Sequence, residues 1–236
     1  MPEATAVLID VGGVLVVPPR AALVCTLETN GIATVDDGDP ERFHYEAVRN
    51  VDGHPPVADG DHILTYTAGV AMGLGVATGD VERASVLLAE QLDGMPWSQV
   101  LGGARTGLRA LADAGVPVGV VSNSDGTVER QLLDTELCQV GEGAGVPVAI
   151  VVDSHVVGVT KPDPAIFHFA LDAMGVDAAE CLYVGDTVTY DVTGARAAGL
   201  RPVHLDPYRF CTQPDDHLHV THLAQLPGVL ASLSAS

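Results

Sequence analysis

Residues Val7-Leu-Ile-Asp-Val-Gly-Gly-Val-Leu15 place one carboxylate, that of Asp10, between an apolar run and a pair of glycines. The run Ala6–Ile9 is continuously apolar, which is typical of a strand buried on both faces of a parallel sheet. Acidic side chains are seldom buried unless they are paired. An acid at the end of a buried strand is therefore a candidate for chemistry, although it can also serve as a turn residue beside the two glycines.

The composition is that of a compact and strongly acidic globular protein. The chain has 236 residues, 47% of them hydrophobic, with 26 glycines and 15 prolines. This length suits a single domain or a core with a sizeable insertion. The formal net charge is -20, and a charge of this sign repels nucleic acid and anionic membranes. We therefore expect neither nucleic acid nor a membrane as a partner.

The sequence is expected to belong to a cytoplasmic protein. Its first apolar segment begins at Ala6 with no leader before it, and its longest uncharged apolar stretch, Ala68–Ala77, is too short to span a bilayer. The four cysteines, which include Cys211, lie far apart and form no CxxC pair. This spacing favours reduced structural thiols over disulfides or a zinc site.

Short apolar strands alternate with helical patterns over much of the chain. The predicted strands are Ala6–Ile9, Val116–Val121, Val148–Val152, Cys181–Val184 and Pro202–Leu205. The predicted helices between and after them are Gly103–Ala114, Asp163–Met174 and Thr189–Ala198. Each of these helices ends before a glycine, which is a common helix stop. The alternation predicts an α/β fold with a parallel sheet that is covered on both faces.

Polar residues follow several of the predicted strands. Asp10 follows the first strand, Ser122 and Asn123 follow the second, and Asp186 follows the fourth. In parallel α/β sheets, ligands bind beyond the carboxyl ends of the strands. Lys161, the only lysine among 11 basic residues, lies between a predicted strand and a predicted helix. We therefore place the candidate site at the carboxyl edge of the sheet.

Residues 16–101 break the alternation. They contain helical patterns at Glu41–Val51, His62–Val76 and Val81–Leu92 and no convincing strand. Prolines and glycines at both ends of this region mark junctions. We predict a core made of residues 1–15 and 102–236, with residues 16–101 as a helical insertion.

Four short motifs carry the candidate residues in a fixed order. They are Val7–Leu15, Val120–Ser124, Thr160–Pro164 and Val184–Asp191. In order and spacing they resemble the four motifs of the haloacid dehalogenase superfamily, and the helical insertion resembles the type 1 cap of that superfamily. The resemblance covers the whole predicted core. It implies a Rossmann-like, doubly wound parallel sheet and phosphoryl transfer through an aspartyl-phosphate.

The resemblance also implies a catalytic and metal-binding role for the acidic residues. Asp10 would be the nucleophile and, together with Asp186 and the backbone carbonyl of Gly12, a ligand of Mg²⁺, which prefers hard oxygen donors. Asp191 would either ligate the ion through water or hold Lys161 in place. Alternatively, Asp191 is only an acid in the first turn of a helix, where it interacts favourably with the helix dipole.

The substrate implied by the resemblance is a small phosphorylated metabolite. Ser122 and the backbone of Asn123 would donate hydrogen bonds to its phosphoryl oxygens, and Lys161 would neutralise charge there as a compact ammonium. Without the other motifs, Ser122 and Asn123 would be interpreted only as residues that close a turn. A monomer and a homodimer are both compatible with the sequence.

Gly12 departs from the pattern of the superfamily. Its phosphatases usually carry a second aspartate at this position, as general acid and base for the leaving group, and loss of a positioned acid costs about 10²- to 10⁴-fold in rate. A Mg²⁺-dependent phosphatase is therefore weighed against two alternatives. One is a 2-haloacid dehalogenase-like hydrolase, in which Asp10 attacks carbon and needs no metal. The other is a non-catalytic relative that binds a phosphorylated ligand or a protein. The pair of Asp186 and Asp191 makes sense chiefly with a cation, which disfavours the dehalogenase. The combination of Asp10, Lys161 and Asp186 counts against the non-catalytic relative.

Two groups of histidines lie outside the motifs. His217, His219 and His222 alternate with apolar residues, which favours an exposed strand before a final helix. A metal site is not expected there, because no cysteine or carboxylate at zinc-ligand spacing completes the set. The histidines of the insertion are His44, His54 and His62. We expect these to be solvated, although any of them could supply the proton that Gly12 lacks.

Overall fold

The computed structural model describes residues 4–35, 37–54, 62–213 and 216–234. The chain divides into two compact units, one made of Met1–Val16 with Val100–Ser236 and the other of Val17–Gln99. The first unit, the core, contains the main sheet. None of the helices in the described residues is long and apolar enough to cross a membrane.

The secondary structure is named in chain order. The strands of the described residues are β1 Ala6–Ile9, β2 Val16–Val17, β3 Gln99–Val100, β4 Val118–Ser122, β5 Cys138–Val140, β6 Val146–Val148, β7 Val151–Asp153, β8 Cys181–Gly185, β9 Arg201–Leu205 and β10 Leu218–Val220. The α-helices are α1 Arg20–Thr29, α2 Arg42–Gly53, α3 His62–Gly73, α4 Val81–Leu92, α5 Ala104–Asp113, α6 Val128–Asp134, α7 Ser154–Val157, α8 Ala165–Met174, α9 Thr193–Ala197 and α10 Leu226–Ser234. One π-helical turn, Val188–Val192, precedes α9.

The main sheet has six parallel strands in the order β10-β9-β8-β1-β4-β7. Strands β1, β4 and β8 are buried along their whole length, as a sheet covered on both faces requires. Ile9 is in register with Val120 and with Val184, so the residues that follow these three strands leave the sheet at one edge. The predicted α/β class and parallel sheet are confirmed.

Helix α8 packs on the sheet through large side chains. Phe167 of α8 meets Tyr183 of β8 edge to face, with ring centroids 4.8 Å apart, and both residues belong to one buried cluster with Leu8. Full burial of a side chain of this size is worth roughly 1.5–3 kcal/mol. The helix ends at Gly175, whose φ of 64° is in the left-handed region, so the predicted glycine stop is confirmed.

The third predicted strand, Val148–Val152, is wrong in its boundaries. The structure divides this run between β6, which pairs with β5 in a separate two-stranded sheet, and β7, which pairs with β4 in the main sheet. Residues 149 and 150 connect the two strands. A continuous apolar run carries no periodicity that marks where a chain passes from one sheet to another.

The second unit is built from helices α1 to α4. Helices α2 and α3 approach each other closely because α3 presents glycines to α2: a Cβ added at Gly69 would lie 2.5 Å from the Ala47 Cα, and one at Gly73 would lie 2.7 Å from the Phe43 Cα. Helix α1 was not predicted from the sequence. Its buried residues are only Leu23 and Leu27, which is too short a pattern to show helical periodicity.

The histidines of this unit have different environments. His44 is 2% exposed, and its Nδ1 lies 2.8 Å from the Tyr66 hydroxyl. The expectation that His44 is solvated is therefore wrong, because its ring packs in an aromatic cluster with Tyr66 and Trp97. His54 is exposed and donates its Nδ1–H to a carbonyl of the preceding helical turn, 3.0 Å away.

Candidate active site

The predicted acidic residues and the lysine meet in the core unit. Asp10 follows β1, Asp186 follows β8, and Asp191 lies in the π-helical turn. One carboxylate oxygen of each aspartate lies within 4.8 Å of the others. These aspartates and Lys161 are at most 7% exposed. We call the three aspartates the acidic cluster.

Lys161 is held by three oxygen atoms. Its Nζ lies 2.8 Å from Asp10 Oδ2, 2.7 Å from Asp191 Oδ1 and 2.9 Å from the Tyr183 hydroxyl. An ammonium group has three N–H donors, so the lysine makes a full set of hydrogen bonds. Burial disfavours the charged ammonium, but the two carboxylates outweigh it and raise the pKa of Lys161 above its ordinary value.

Asp191 has both oxygens engaged inside the protein. Oδ1 accepts hydrogen bonds from Lys161 and from the Tyr183 hydroxyl, and Oδ2 accepts from the Thr187 N–H at 3.0 Å and the Thr187 hydroxyl at 2.7 Å. Burial opposes ionisation, but Lys161 and Thr187 together lower the pKa of Asp191. Of the roles predicted for Asp191, this geometry favours holding Lys161 over ligation of a metal through water.

Gly185 allows the Asp191 carboxyl to reach this position. A Cβ at residue 185 would lie 2.2 Å from the Asp191 Cγ, which is closer than nonbonded atoms can approach. The π-helical turn that presents Asp191 is also unusual, since such turns are rare and frequently occur at functional sites. Packing against Asp191 therefore requires a glycine at residue 185, directly before Asp186.

Asp10 has one oxygen engaged and one without a partner. Oδ2 is bound to Lys161, whereas Oδ1 is buried and has no hydrogen-bond partner among the described residues. Burial raises the pKa of Asp10 to about 7; Lys161 opposes this rise, and the negative charges of Asp191 and Asp186 add to it. An unpaired buried carboxylate oxygen is unfavourable unless another group binds it.

The residues of the acidic cluster fit a divalent cation. If all three carboxylates are ionised, the Lys161 ammonium compensates only one of their charges, and the two that remain equal the charge of one such ion. Carboxylate oxygens are the donors that Mg²⁺ prefers. Asp10 offers an oxygen without a partner, and Asp186 lies next to it. Gly12 lies in the tight turn after β1, in which the N–H of residue 13 donates to the Val16 carbonyl.

Ser122 and Asn123 lie where β4 ends. The Asn123 side chain binds the backbone of Lys161, accepting its N–H at 2.8 Å and donating to its carbonyl at 3.1 Å. This side chain therefore positions the lysine, and the phosphate-binding role predicted for the Asn123 backbone stays a prediction. Ser122 is the last residue of β4 and is buried.

Sequence reasoning missed three residues that support the site. Tyr183 bridges Lys161 and Asp191 from within β8, and burial, followed by the neighbouring carboxylates, raises its pKa well above the ordinary value. Thr187 binds the Asp191 carboxylate, and His204 lies with its Nε2 2.9 Å from the Asp186 carbonyl. Tyr183 lies in an apolar strand and has the pattern of a core residue, so nothing in the sequence marks its hydroxyl.

The C-terminal histidines do not all occupy an exposed strand. β10 forms beside β9 at the edge of the sheet, and His222 caps the turn that precedes α10. The His217 side chain, however, is fully buried. Burial, followed by repulsion from His204 and His219, lowers the pKa of His217 to about 4. The structure also brings Cys211 and His204 to this group, although the sequence shows no cysteine at zinc-ligand spacing there.

Comparisons with known proteins agree with this geometry. A family model described as haloacid dehalogenase-like hydrolase matches residues 4–199. A phosphoglycolate phosphatase from Rhodospirillum rubrum is 33% identical over 223 residues, which cover 91% of this chain and 83% of that protein. The structure of a putative HAD-hydrolase, YfnB from Bacillus subtilis bound to magnesium, superposes with a TM-score of 0.62 at 18% identity, covering 97% of this chain and 99% of that one.

A dehalogenase has the same fold. The 2-haloacid dehalogenase from Pseudomonas syringae pv. Tomato superposes with a TM-score of 0.55 at 24% identity, covering 97% of this chain and 98% of that one. At this identity the likeness shows the fold alone. The family match is stronger, because it spans most of the chain and includes all four sequence motifs. The chain is a hydrolase, and it belongs to the haloacid dehalogenase-like hydrolase family.

Proposed function

We propose that the protein is a Mg²⁺-dependent phosphatase that acts on a small phosphorylated metabolite through an aspartyl-phosphate at Asp10. The observation that carries this proposal is the buried Asp10 Oδ1, which has no hydrogen-bond partner among the described residues although Oδ2 is held by Lys161. The relative from Rhodospirillum rubrum is named a phosphoglycolate phosphatase. Phosphoglycolate is therefore the first substrate to test.

Nucleophilic attack and stabilisation of the phosphoryl charge are carried out by different residues. The Asp10 carboxylate attacks phosphorus, the bond between phosphorus and the leaving oxygen breaks, and water then cleaves the acyl phosphate to restore Asp10 and release phosphate. Lys161, Ser122 and the backbone N–H of Asn123 stabilise charge on the phosphoryl oxygens. Asp191 keeps Lys161 in position through their 2.7 Å contact.

The proposed Mg²⁺ ligands are Asp10, Asp186 and the Gly12 carbonyl. When bound, the ion supplies positive charge that allows an anionic phosphate to approach an anionic nucleophile. Asp191 remains a candidate for water-mediated contact, although its four hydrogen bonds within the protein favour the positioning role. The absence of an acid at Gly12 predicts a preference for substrates with good leaving groups.

We propose that the helical unit Val17–Gln99 is the cap that selects the substrate, within the insertion predicted at residues 16–101. One fold hosts many functions, and the residues that select a ligand are often carried by segments added to a rigid scaffold. We also propose that the protein acts in the cytoplasm as a monomer or a homodimer. The acidic composition of the chain, with a net charge of -20, supports a small diffusible substrate over nucleic acid or a membrane surface.

The test is release of inorganic phosphate from a panel of metabolites that includes phosphoglycolate and an aryl phosphate, with Mg²⁺ and with a chelator. We expect Mg²⁺-dependent turnover that Asp10→Asn abolishes. Chloroacetate in the same series tests the dehalogenase alternative, which requires halide release without a metal. Substrate binding without turnover of any compound would instead favour a non-catalytic relative. Either of these last two results would overturn the proposal.

A further inference from the structure

A second group of metal-ligating side chains lies in the core unit, apart from the acidic cluster. It consists of His204 at the end of β9, Cys211 in the loop that follows, and His217 and His219 at β10. One ligand atom of each residue lies within 4.8 Å of every other. We call this group the histidine–cysteine cluster, and we propose that it binds a structural Zn²⁺ ion through all four side chains.

The pairing of the strands creates the cluster. His204 of β9 is in register with His219 of β10, and side chains at paired positions lie on the same face of a sheet. Cys211 and His217 lie in the connection between these strands, close to the two paired histidines. Four ligands that are separated by up to 15 positions in sequence are thus assembled by sheet register. This explains why no zinc-ligand spacing is visible in the sequence.

The separations between the ligand atoms agree with tetrahedral zinc. His204 Nδ1 lies 3.2 Å from His217 Nε2, and Cys211 Sγ lies 3.7 Å from the same nitrogen. Zinc bonds of 2.0–2.1 Å to nitrogen and 2.3 Å to sulfur give tetrahedral edges of about 3.3 Å between two nitrogens and about 3.6 Å between nitrogen and sulfur. Since no pair of ligand atoms exceeds 4.8 Å, closure on one ion requires only side-chain adjustments.

His204 is oriented so that Nδ1 faces the cluster as an acceptor. Its Nε2 lies 2.9 Å from the Asp186 backbone carbonyl, and a carbonyl oxygen can only accept, so Nε2 carries the proton. Nδ1 of the neutral ring then has no proton and presents a lone pair. Metal-bound histidines characteristically donate the other ring N–H to a carbonyl or a carboxylate, which fixes the ring. His204 has this arrangement.

Two buried nitrogens of the cluster lack hydrogen bonds. Nε2 of His219 and Nδ1 of His217 have no partner among the described residues. A carboxylate lies near the Nδ1 of each ring, that of Asp206 at 3.9 Å from His219 and that of Asp216 at 4.0 Å from His217. Metal ligation through Nε2 of both rings would leave each Nδ1–H directed towards its carboxylate. One ion would therefore give the buried His219 Nε2 the partner that it lacks among the described residues.

The loop of Cys211 is shaped to present its sulfur. The Asp206 carboxylate accepts the backbone N–H groups of Phe210 at 2.8 Å and Cys211 at 3.0 Å. The Gln213 N–H points at the Cys211 sulfur from 3.4 Å, which stabilises a thiolate. Partial exposure of Cys211 leaves a path by which an ion can enter.

The donor set decides which ion binds and what the ion does. Three imidazoles and one thiolate suit Zn²⁺ and other borderline metals, whereas Mg²⁺ prefers oxygen donors. Four protein ligands close the coordination shell, which is typical of structural zinc sites and not of catalytic ones. The bound ion would fasten the loop between β9 and β10 and, through His204, the backbone of Asp186.

The experiment uses the full chain without a histidine tag, stripped with a chelator and titrated with Co²⁺ as a spectroscopic substitute for Zn²⁺. We expect a thiolate-to-cobalt charge-transfer band and the visible bands of tetrahedral cobalt, saturating at about one ion per chain. Zn²⁺ should displace the cobalt, and a large excess of Mg²⁺ should not. The protein purified from zinc-containing medium should retain zinc by elemental analysis.

Matched variants assign the spectrum to the cluster. Cys211→Ser should lose the charge-transfer band and His217→Ala should lose tetrahedral cobalt binding, whereas Cys25→Ser and His168→Gln, at exposed positions, should keep both. Far-UV circular dichroism of each stripped variant reports whether it is folded. The proposal is overturned if the parent shows no thiolate band, or if Cys211→Ser, folded, binds cobalt and zinc as the parent does.

Discussion

The acidic cluster and the histidine–cysteine cluster are neighbours with opposite chemistry. A hydrogen bond from the His204 Nε2 to the Asp186 carbonyl connects them. The acidic cluster offers hard oxygens around a buried lysine, and the histidine–cysteine cluster offers nitrogens and a sulfur. The first follows strands that are central in the sheet, and the second is at the edge formed by β9 and β10. One sheet therefore presents two donor sets that select different ions.

Protons affect the two clusters in opposite directions. The pKa of Asp10 is raised to about 7 by burial, so ionisation of Asp10 opposes folding as the pH rises. The pKa of His217 is lowered to about 4 by burial and by the adjacent histidines, so protonation of His217 opposes folding as the pH falls from the ordinary histidine range. In each cluster a cation binds the deprotonated form, which is the Asp10 carboxylate that prevails above about pH 7 and the neutral His217 imidazole that prevails above about pH 4.

The largest expected effect is on phosphate release, which should depend on the acidic cluster and not on the histidine–cysteine cluster. Asp10→Asn removes the nucleophile and should lower phosphate release by roughly 10⁴-fold or more, with no change in the cobalt–thiolate spectrum. Cys211→Ser should lose that spectrum and retain phosphate release within about tenfold of the parent, because it lies outside the acidic cluster. Both variants are measured in both assays. If Cys211→Ser abolishes turnover while remaining folded, the two clusters are not functionally separate.

The second prediction concerns the stability of the metal-free protein. Between pH 4 and pH 7 the native state retains a proton on Asp10 that the unfolded chain has released, so the free energy of unfolding should fall as the pH rises through this window. A shift of this size corresponds to something on the order of 4 kcal/mol. Asp10→Asn removes the charge and should therefore be more stable than the parent at pH 8 and similar to it at pH 4.

Denaturant unfolding in the presence of a chelator, repeated across this pH range, measures the difference. Mg²⁺ should stabilise the parent more than the variant, because it binds the ionised carboxylate. Parallel stability profiles for the two proteins would show that Asp10 titrates as an ordinary aspartate in the metal-free state. The unpartnered Oδ1 would then no longer support the cation site.

The third prediction tests the missing acid. Gly12→Asp should raise turnover of alkyl phosphates by about 10²-fold, at the lower end of the range for general acid catalysis, and change that of acyl phosphates little. Gly13 has a φ of 68°, whereas Gly12 does not have a positive φ, so the φ of residue 12 does not exclude an aspartate. Rates for a series of leaving groups measure the effect. A flat series in the parent, with no gain in the variant, would contradict it.

The sequence predicts the acidic cluster better than the histidine–cysteine cluster for a physical reason. Asp10 and Asp186 each come directly after a continuous apolar strand, and parallel strands bring their carboxyl ends to one edge. Cys211 follows no strand directly, and its meeting with His204 depends on the register of β9 with β10. Register and loop shape are set by packing, so the local pattern does not contain them. The role of the Tyr183 hydroxyl is also not visible in the sequence, because Tyr183 lies in an apolar strand and has the pattern of a core residue.

The smallest expected effect concerns the carboxylates that surround the proposed zinc site. The Asp206 side chain is 7% exposed and lies 3.9 Å from the His219 Nδ1, whereas the Asp216 side chain is 51% exposed and pairs with Arg196. Groups that orient metal ligands typically contribute about 10- to 100-fold to affinity. Asp206→Asn should therefore weaken zinc binding by about 10-fold or more, and Asp216→Asn by less, since solvent screens its charge.

The comparison of these two variants tests whether orientation or net charge controls the zinc affinity. Both substitutions remove one negative charge near the cluster, but only Asp206 also accepts the backbone N–H groups of Phe210 and Cys211. Competition with a chromogenic chelator gives both affinities, and the cobalt spectrum reports whether the geometry changes. Equal losses would indicate that charge alone matters. A larger loss for Asp206→Asn, with a shifted thiolate band, would indicate that this carboxylate holds the cysteine loop in its binding geometry.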